Sequence, residues 1–269
     1  MNLKLLLPTY RARAQFVVTT IRGLGASGLG GGLPRVLDVG CGEADLHVAL
    51  RDHAAVLAGC DVHPGDVDRA RAAAPAFARG NYRVADAAHL PWENGAFDVA
   101  LCLEAIEHVG DVGATLSEAA RVLRPGGTLV LTCPNANFPI TYDPLHWFAG
   151  RRVLPVGAYA YGHTWLPSEA DVRGALGAAG FVNVEVAGLT GWATAGVEAY
   201  WAGLAQRFVK RNAGNVAYGR TRGAAGTSTQ PGGNRSGRPP CRPMSDIEGA
   251  SAPARPPTVT LAFIARKRG

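Results

Sequence analysis

Five residues have the types and spacing of a ligand-binding sheet end: Asp38, Gly40 and Gly42 in "VLDVGCGEADLHVAL", Asp61 closing "LAGCD", and Asp86 in "RVADAAHL". An apolar run that breaks into Gly-x-Gly before a helical pattern lets a ligand approach the backbone, because no side chains hold it off. The carboxylates narrow the choice of ligand. Glu43 and Asp45 crowd the helix start, and Asp45 stands where a dinucleotide loop has its third glycine. A pyrophosphate placed there would forfeit part of the electrostatic benefit of a helix N-terminus.

A cationic ligand removes the conflict. S-adenosylmethionine carries a sulfonium, an ammonium and no phosphate. The competing reading of this one stretch is that its acidic residues only cap the helix. The later acidic positions favour the ligand. Asp61 ends the second apolar run about twenty residues beyond the glycines, where a carboxylate can accept hydrogen bonds from both ribose hydroxyls. Asp86 ends the third run, where it can accept from an adenine amino group.

A parallel sheet would bring these groups together. Apolar runs near 35–39, 55–61, 81–85, 97–103 and 127–133 alternate with helical patterns near 44–51, 65–74 and 112–123, the order of an α/β fold. "FDVALCLEAIEHV" reads as a strand passing into an acidic helix, and "RPGG" as a turn that ends one helix and launches the next strand. Ser168 and Asp171 have capping-box spacing for a helix that stops at Gly180. "FVNVEVAGL" and "TVTLAFIARK" predict two more strands, 192–211 a helix, and 9–24 a leading helix laid against the fold.

With 47% apolar residues, the 269-residue chain can bury a sizeable core. The net charge of +6 is concentrated: residues 212–257 hold six arginines against Asp246 and Glu248, which is +4 of the total. A basic tail is not a basic groove, so no DNA-binding face is expected. The same segment has eight glycines, seven prolines and hardly any large apolar side chain, which predicts disorder. Cys41, Cys60, Cys102 and Cys133 lie in or beside apolar runs without a Cys-x-x-Cys pair, which predicts buried thiols. No run is long enough to span a bilayer, and "MNLKLLLPTYRARA" is too short and interrupted for a secretory signal. A soluble, cytoplasmic protein is expected.

Four segments occur in a familiar order: "LDVGCG", "CDVHP", "VADAAHLPWENGAFDVALCLEAIEHV" and "EAARVLRPGGTLVLTCPN". From Arg35 to about Phe181 the chain resembles the class I S-adenosylmethionine-dependent methyltransferases, above all the small-molecule group that includes the ubiquinone-biosynthesis O-methyltransferases. The resemblance implies a Rossmann-like α/β fold: a seven-stranded, mostly parallel sheet with helices on both faces and an antiparallel last strand. It implies S-adenosyl-L-methionine as cofactor, with Gly40 and Gly42 under the methionine portion and Asp38 orienting the loop. Asp61 would hold the ribose, Asp86 and the backbone of Ala87 would read adenine, and Leu103 would lie near the sulfur. Ala44 departs from the glycine that many members carry, which predicts a tighter loop.

On this reading residues 1–211 form the methyltransferase domain, with a leading helix and linker at 1–34 and an acceptor lid at 134–166. Residues 212–257 are a disordered insertion, and 258–269 supply the final strand. Methyl transfer is an in-line displacement that needs alignment, exclusion of water and sometimes a base, but no covalent nucleophile. Aromatic residues including Phe138, Tyr142, Trp147, Phe148, Tyr159, Tyr161 and Trp165 suit a lid over a small-molecule or lipid-like acceptor. His108 and His163 are the candidate bases. His47, His53, His63 and His89 are expected at the surface or as caps. On a helix Glu104, Glu107 and His108 would share a face, and with His163 they resemble the metal ligands of small-RNA 2′-O-methyltransferases. A structural role for this motif, without metal, is the stronger expectation. The alternatives are a non-catalytic S-adenosylmethionine-binding protein, a metal-assisted RNA 2′-O-methyltransferase and an NAD-dependent oxidoreductase.

Overall fold

The computed structural model describes residues 8–28, 32–74, 76–136, 165, 167–191, 258 and 260–269. His163, most of the expected lid, the helix expected at 192–211 and the 212–257 segment lie outside them. The strands are β1 (Arg35–Val39), β2 (Val56–Asp61), β3 (Tyr82–Val84), β4 (Phe97–Leu103), β5 (Leu123–Pro134), β6 (Phe181–Gly188) and β7 (Thr260–Lys267). They form one sheet in the order β3-β2-β1-β4-β5-β7-β6. The first five are parallel neighbours, and β7 runs antiparallel between β5 and β6. This is the Rossmann-like sheet expected from the sequence.

The central strands are apolar throughout because both sheet faces are covered. Leu37 and Val39 of β1 pack into a core with α4 (Val112–Val122) and α5 (Glu169–Ala178), through Leu116, Val122, Val172 and Leu176. Val36 faces the other way, onto Val17 and Ile21 of α1 (Pro8–Gly28) and Leu50 of α2 (His47–Leu50). Ala14, Val17 and Ile21 recur at helical spacing, so α1 presents a single apolar stripe to the sheet. A third cluster joins Val67 and Ala70 of α3 (Pro64–Ala73) to Ala44 and Tyr82. Ser168 and Asp171 make the expected capping box, with both reciprocal bonds present. No helix among the described residues is long and apolar enough to cross a membrane.

Three local expectations need correction. The helix expected over 44–51 is confined to His47–Leu50, because Gly42 and Ala44 have φ of 52° and 55° and cannot join a right-handed helix. "RPGG" does not precede β5 but interrupts it: Leu123 already pairs with Phe97, and regular pairing resumes at Val99 and Thr128. The kink needs Gly127, where a Cβ would lie 2.9 Å from the Arg124 carbonyl oxygen. "EAIEH" is not helical but turns, beginning at Glu104 with φ 52°. The turn separates two sequence neighbours by burial: Glu107 is fully buried while His108 is exposed.

That separation has an electrostatic consequence. Burial, and next the neighbouring Glu104 carboxylate, push the Glu107 carboxyl up from its ordinary 4.5 to about 9. Between those values the folded chain holds a proton that the unfolded chain releases, so this group's contribution to stability falls as pH rises through the window. Glu107→Gln should remove a slope of up to about 1.4 kcal/mol per pH unit and make the protein more stable than the parent at pH 8. Parallel parent and variant pH–stability curves in urea would refute this. The core has its own test. Phe263, fully buried on β7 opposite Leu131 and Val186, should cost about 3–5 kcal/mol when truncated to alanine. Ser168→Ala should cost only about 1 kcal/mol, the usual value of a cap, in the same denaturation measurement.

Candidate active site

The loop between β1 and α2 is closed onto the end of β2. The amides of Gly40 and Cys41 both donate to the Cys60 carbonyl, at 2.8 and 2.9 Å. The Gly42 amide donates to Asp61 Oδ2 at 3.0 Å. Gly40 has φ 74°, and a Cβ there would stand 2.6 Å from the Ala105 Cβ, so glycine is required on both counts. Ala44 occupies the left-handed region that glycine adopts freely, which sets a local strain of about 1–2 kcal/mol here. A phosphate-binding loop aims its amides at the anion. Here the three amides are spent within the protein, beside Glu43, Asp45 and Asp61.

Below the loop lies a buried polar chain. Asp38 is 4% exposed, and strand alternation turns it away from Leu37 and Val39, toward the α1 and α2 side. Its Oδ2 lies 3.0 Å from His47 Nε2, while His47 Nδ1 lies 2.7 Å from the Tyr82 hydroxyl. His47 is thus buried rather than at the surface, contrary to expectation. Burial pushes the Tyr82 phenol up, so it keeps its proton. A carboxylate oxygen only accepts, so the bond between Asp38 and His47 is donated by Nε2. Asp38 Oδ1 is buried without a hydrogen-bond partner. An unmet buried acceptor costs about 1–3 kcal/mol, more for a charged one, unless a ligand completes it.

The remaining cofactor positions line the same end of the sheet. Asp61 closes β2, and its Oδ1 accepts the His63 amide at 2.9 Å. Asp86 follows β3, exposed, with Oδ1 accepting the Ala88 amide at 2.9 Å; Ala87 beside it is partly buried. Leu103 ends β4 on the α1 side. Two residues absent from the sequence reading join them. Arg13 of α1 pairs with Glu104 at 3.6 Å and lies over the Tyr10 ring. No motif marks Arg13, because the linker after α1 hides its distance from the loop.

The rim on the acceptor side is also partly described. The Trp165 amide donates to the Glu107 carbonyl at 3.2 Å, and the Ala136 amide to the Pro167 carbonyl at 3.0 Å. The stretch between Ala136 and Trp165 therefore leaves and rejoins the fold at the strand ends that carry the loop. Among the described residues, Glu104, Glu107 and His108 do not gather as metal ligands. The described acids and histidine whose ligand atoms lie within 4.8 Å of one another are Asp61, His63 and Asp66, at the rim of β2 and α3.

Comparisons with known proteins agree with this geometry. A family profile described as "Methyltransferase domain" matches residues 37–131. The ubiquinone biosynthesis O-methyltransferase of Azorhizobium caulinodans is 33% identical over 159 residues, covering 58% of this chain and 61% of that protein. That of Coxiella burnetii is 33% identical over 139 residues, covering 50% of this chain and 58% of that protein. The chain thus spans about three fifths of the length of these curated relatives. Among solved structures, an S-adenosylmethionine-dependent methyltransferase from Mesorhizobium loti superposes with a TM-score of 0.51 at 21% identity, over 91% of this chain and 96% of that one. At such identity the likeness is one of fold. S-adenosyl-L-methionine, which brings no phosphate, fits a site whose loop amides are spent within the protein and where Asp38 Oδ1 is a buried acceptor without a hydrogen-bond partner. Sheet order and matched segment agree: residues 37–131 match a methyltransferase domain on a Rossmann-like sheet, and the chain is similar to ubiquinone biosynthesis O-methyltransferases over about three fifths of their length.

Proposed function

We propose that this chain methylates a small-molecule or lipid-like acceptor with S-adenosyl-L-methionine by in-line displacement. The observation that carries the reading is the loop whose three amides are spent on Cys60 and Asp61, beside the unpaired oxygen of Asp38. Such a site repels a pyrophosphate and accepts a cation, which argues against the NAD reading. When bound, the cofactor supplies an electrophilic methyl group on a positively charged sulfur.

The chain's own residues align and shield that methyl. Gly40 and Gly42 admit the methionine portion against the backbone. Asp61 keeps acceptor capacity for ribose hydroxyls beyond the bonds it makes to Gly42 and His63. Asp86 and Ala87 read adenine, and Leu103 flanks the sulfur. The acceptor side is the mouth framed by Ala136, Trp165 and Glu107, with the aromatic residues between 136 and 165 as lid. His108, exposed at that mouth, is the candidate base; His163 is the second, by its place in that stretch. The metal-assisted RNA reading has no cluster of ligands behind it among the described residues, and chelation tests it.

S-adenosylhomocysteine should bind the parent in calorimetry, and Asp61→Ala should weaken it by about 10- to 150-fold, the loss of a charge-assisted pair of hydrogen bonds. Unchanged affinity in a folded variant would move the ribose elsewhere. In a screen of phenolic and lipid acceptors with labelled cofactor, transfer should survive EDTA and fall at least about tenfold in His108→Ala. Loss on chelation with recovery in Mn²⁺ would instead favour a metal-assisted reaction. Cofactor binding without transfer to any acceptor would favour the non-catalytic reading.

A further inference from the structure

We infer that His47 is a positioning residue for the cofactor's amino-acid end: it locks the Asp38 carboxylate so that Oδ1 accepts the ammonium. The inference rests on the S-adenosylmethionine reading above and deepens it. Three buried side chains from three separate elements meet in a line: Asp38 on β1, His47 on α2 and Tyr82 on β3, all at most 5% exposed. The Tyr82 hydroxyl hydrogen-bonds with Nδ1 at 2.7 Å and His47 Nε2 donates to Oδ2 at 3.0 Å, so the imidazole is held at both ring nitrogens.

This chain of bonds has two effects. It fixes the carboxylate's torsion, since one oxygen is tied to an imidazole that is itself tied at its far side. It also leaves Oδ1 without a hydrogen-bond partner in the protein. The field of that carboxylate extends past the loop, raising the thiols of Cys41, Cys60 and Cys102 further beyond what burial does. A buried anion with one oxygen committed and one unpartnered is suited to an ammonium that arrives with the ligand.

Two ligands separate positioning from simple loss of structure. S-adenosylhomocysteine carries the ammonium; 5′-methylthioadenosine shares the adenosine and thioether but lacks the amino-acid end. In calorimetry on the full chain, His47→Leu should weaken S-adenosylhomocysteine by about tenfold or more, while 5′-methylthioadenosine changes by less than about twofold. His47→Gln, whose side-chain amide can donate from near the position of Nε2, should recover most of the loss. Tyr82→Phe removes one oxygen atom and should show the same selectivity with a smaller drop, which keeps the test available if His47→Leu does not fold. Equal losses for both ligands, or none for either, would overturn the positioning role. Failure of the parent to bind either ligand would instead remove the cofactor reading, and the inference with it.

Discussion

One carbonyl oxygen receives two amides: that of Cys60, at the end of β2, accepts from both Gly40 and Cys41. This shared acceptor bends the chain sharply as it leaves β1, and Gly42 extends the tie to the Asp61 carboxylate. Everything at the ligand end follows from that closure. The turn forces positive φ at Gly40, Gly42 and Ala44, so α2 is delayed to His47. The delay in turn places His47 against Asp38 rather than in solvent. A loop whose amides were free would be an anion site; this one shows a ligand small side chains and carboxylate oxygens.

The two faces of the sheet serve the site differently. Through its apolar stripe, α1 seals the side of β1 that carries Asp38 and brings Arg13 to Glu104 at the exit of β4. The opposite face is the larger core, where α4 and α5 pack against β4 and β5. Burial and the Glu104 carboxylate push the Glu107 carboxyl up, while Glu104 itself pairs with Arg13. β7 completes the sheet from far along the chain, pairing β5 and β6 at once, and Asn135 reaches the Thr258 carbonyl at its start.

Sequence reading reached most of what is repeated or punctuated. The five parallel strands, the capping box at Ser168 and the antiparallel strand from Thr260 follow from runs of apolar residues and from residues with special backbone needs. The strand ends at Asp61 and Asp86 were legible for the same reason: a carboxylate closing an apolar run is conspicuous. What misled was spacing read on an assumed helix. Glu104, Glu107 and His108 sit at helical intervals, yet the left-handed Glu104 opens a turn, and Glu107 is buried while His108 is exposed.

The sequence by itself determined the alternation of strands and helices, the glycine turn and the acidic character of the ligand end. These are local properties, set by side-chain periodicity and by which residues tolerate a given φ. Only the tertiary structure decided the partners: which oxygen closes the loop, that Tyr82 reaches His47, that Arg13 meets Glu104, and that Glu107 is buried while its neighbour His108 is not. Those pairings join elements distant along the chain. Hydrogen-bond direction and desolvation depend on where atoms lie in space, and one-dimensional spacing carries no record of that.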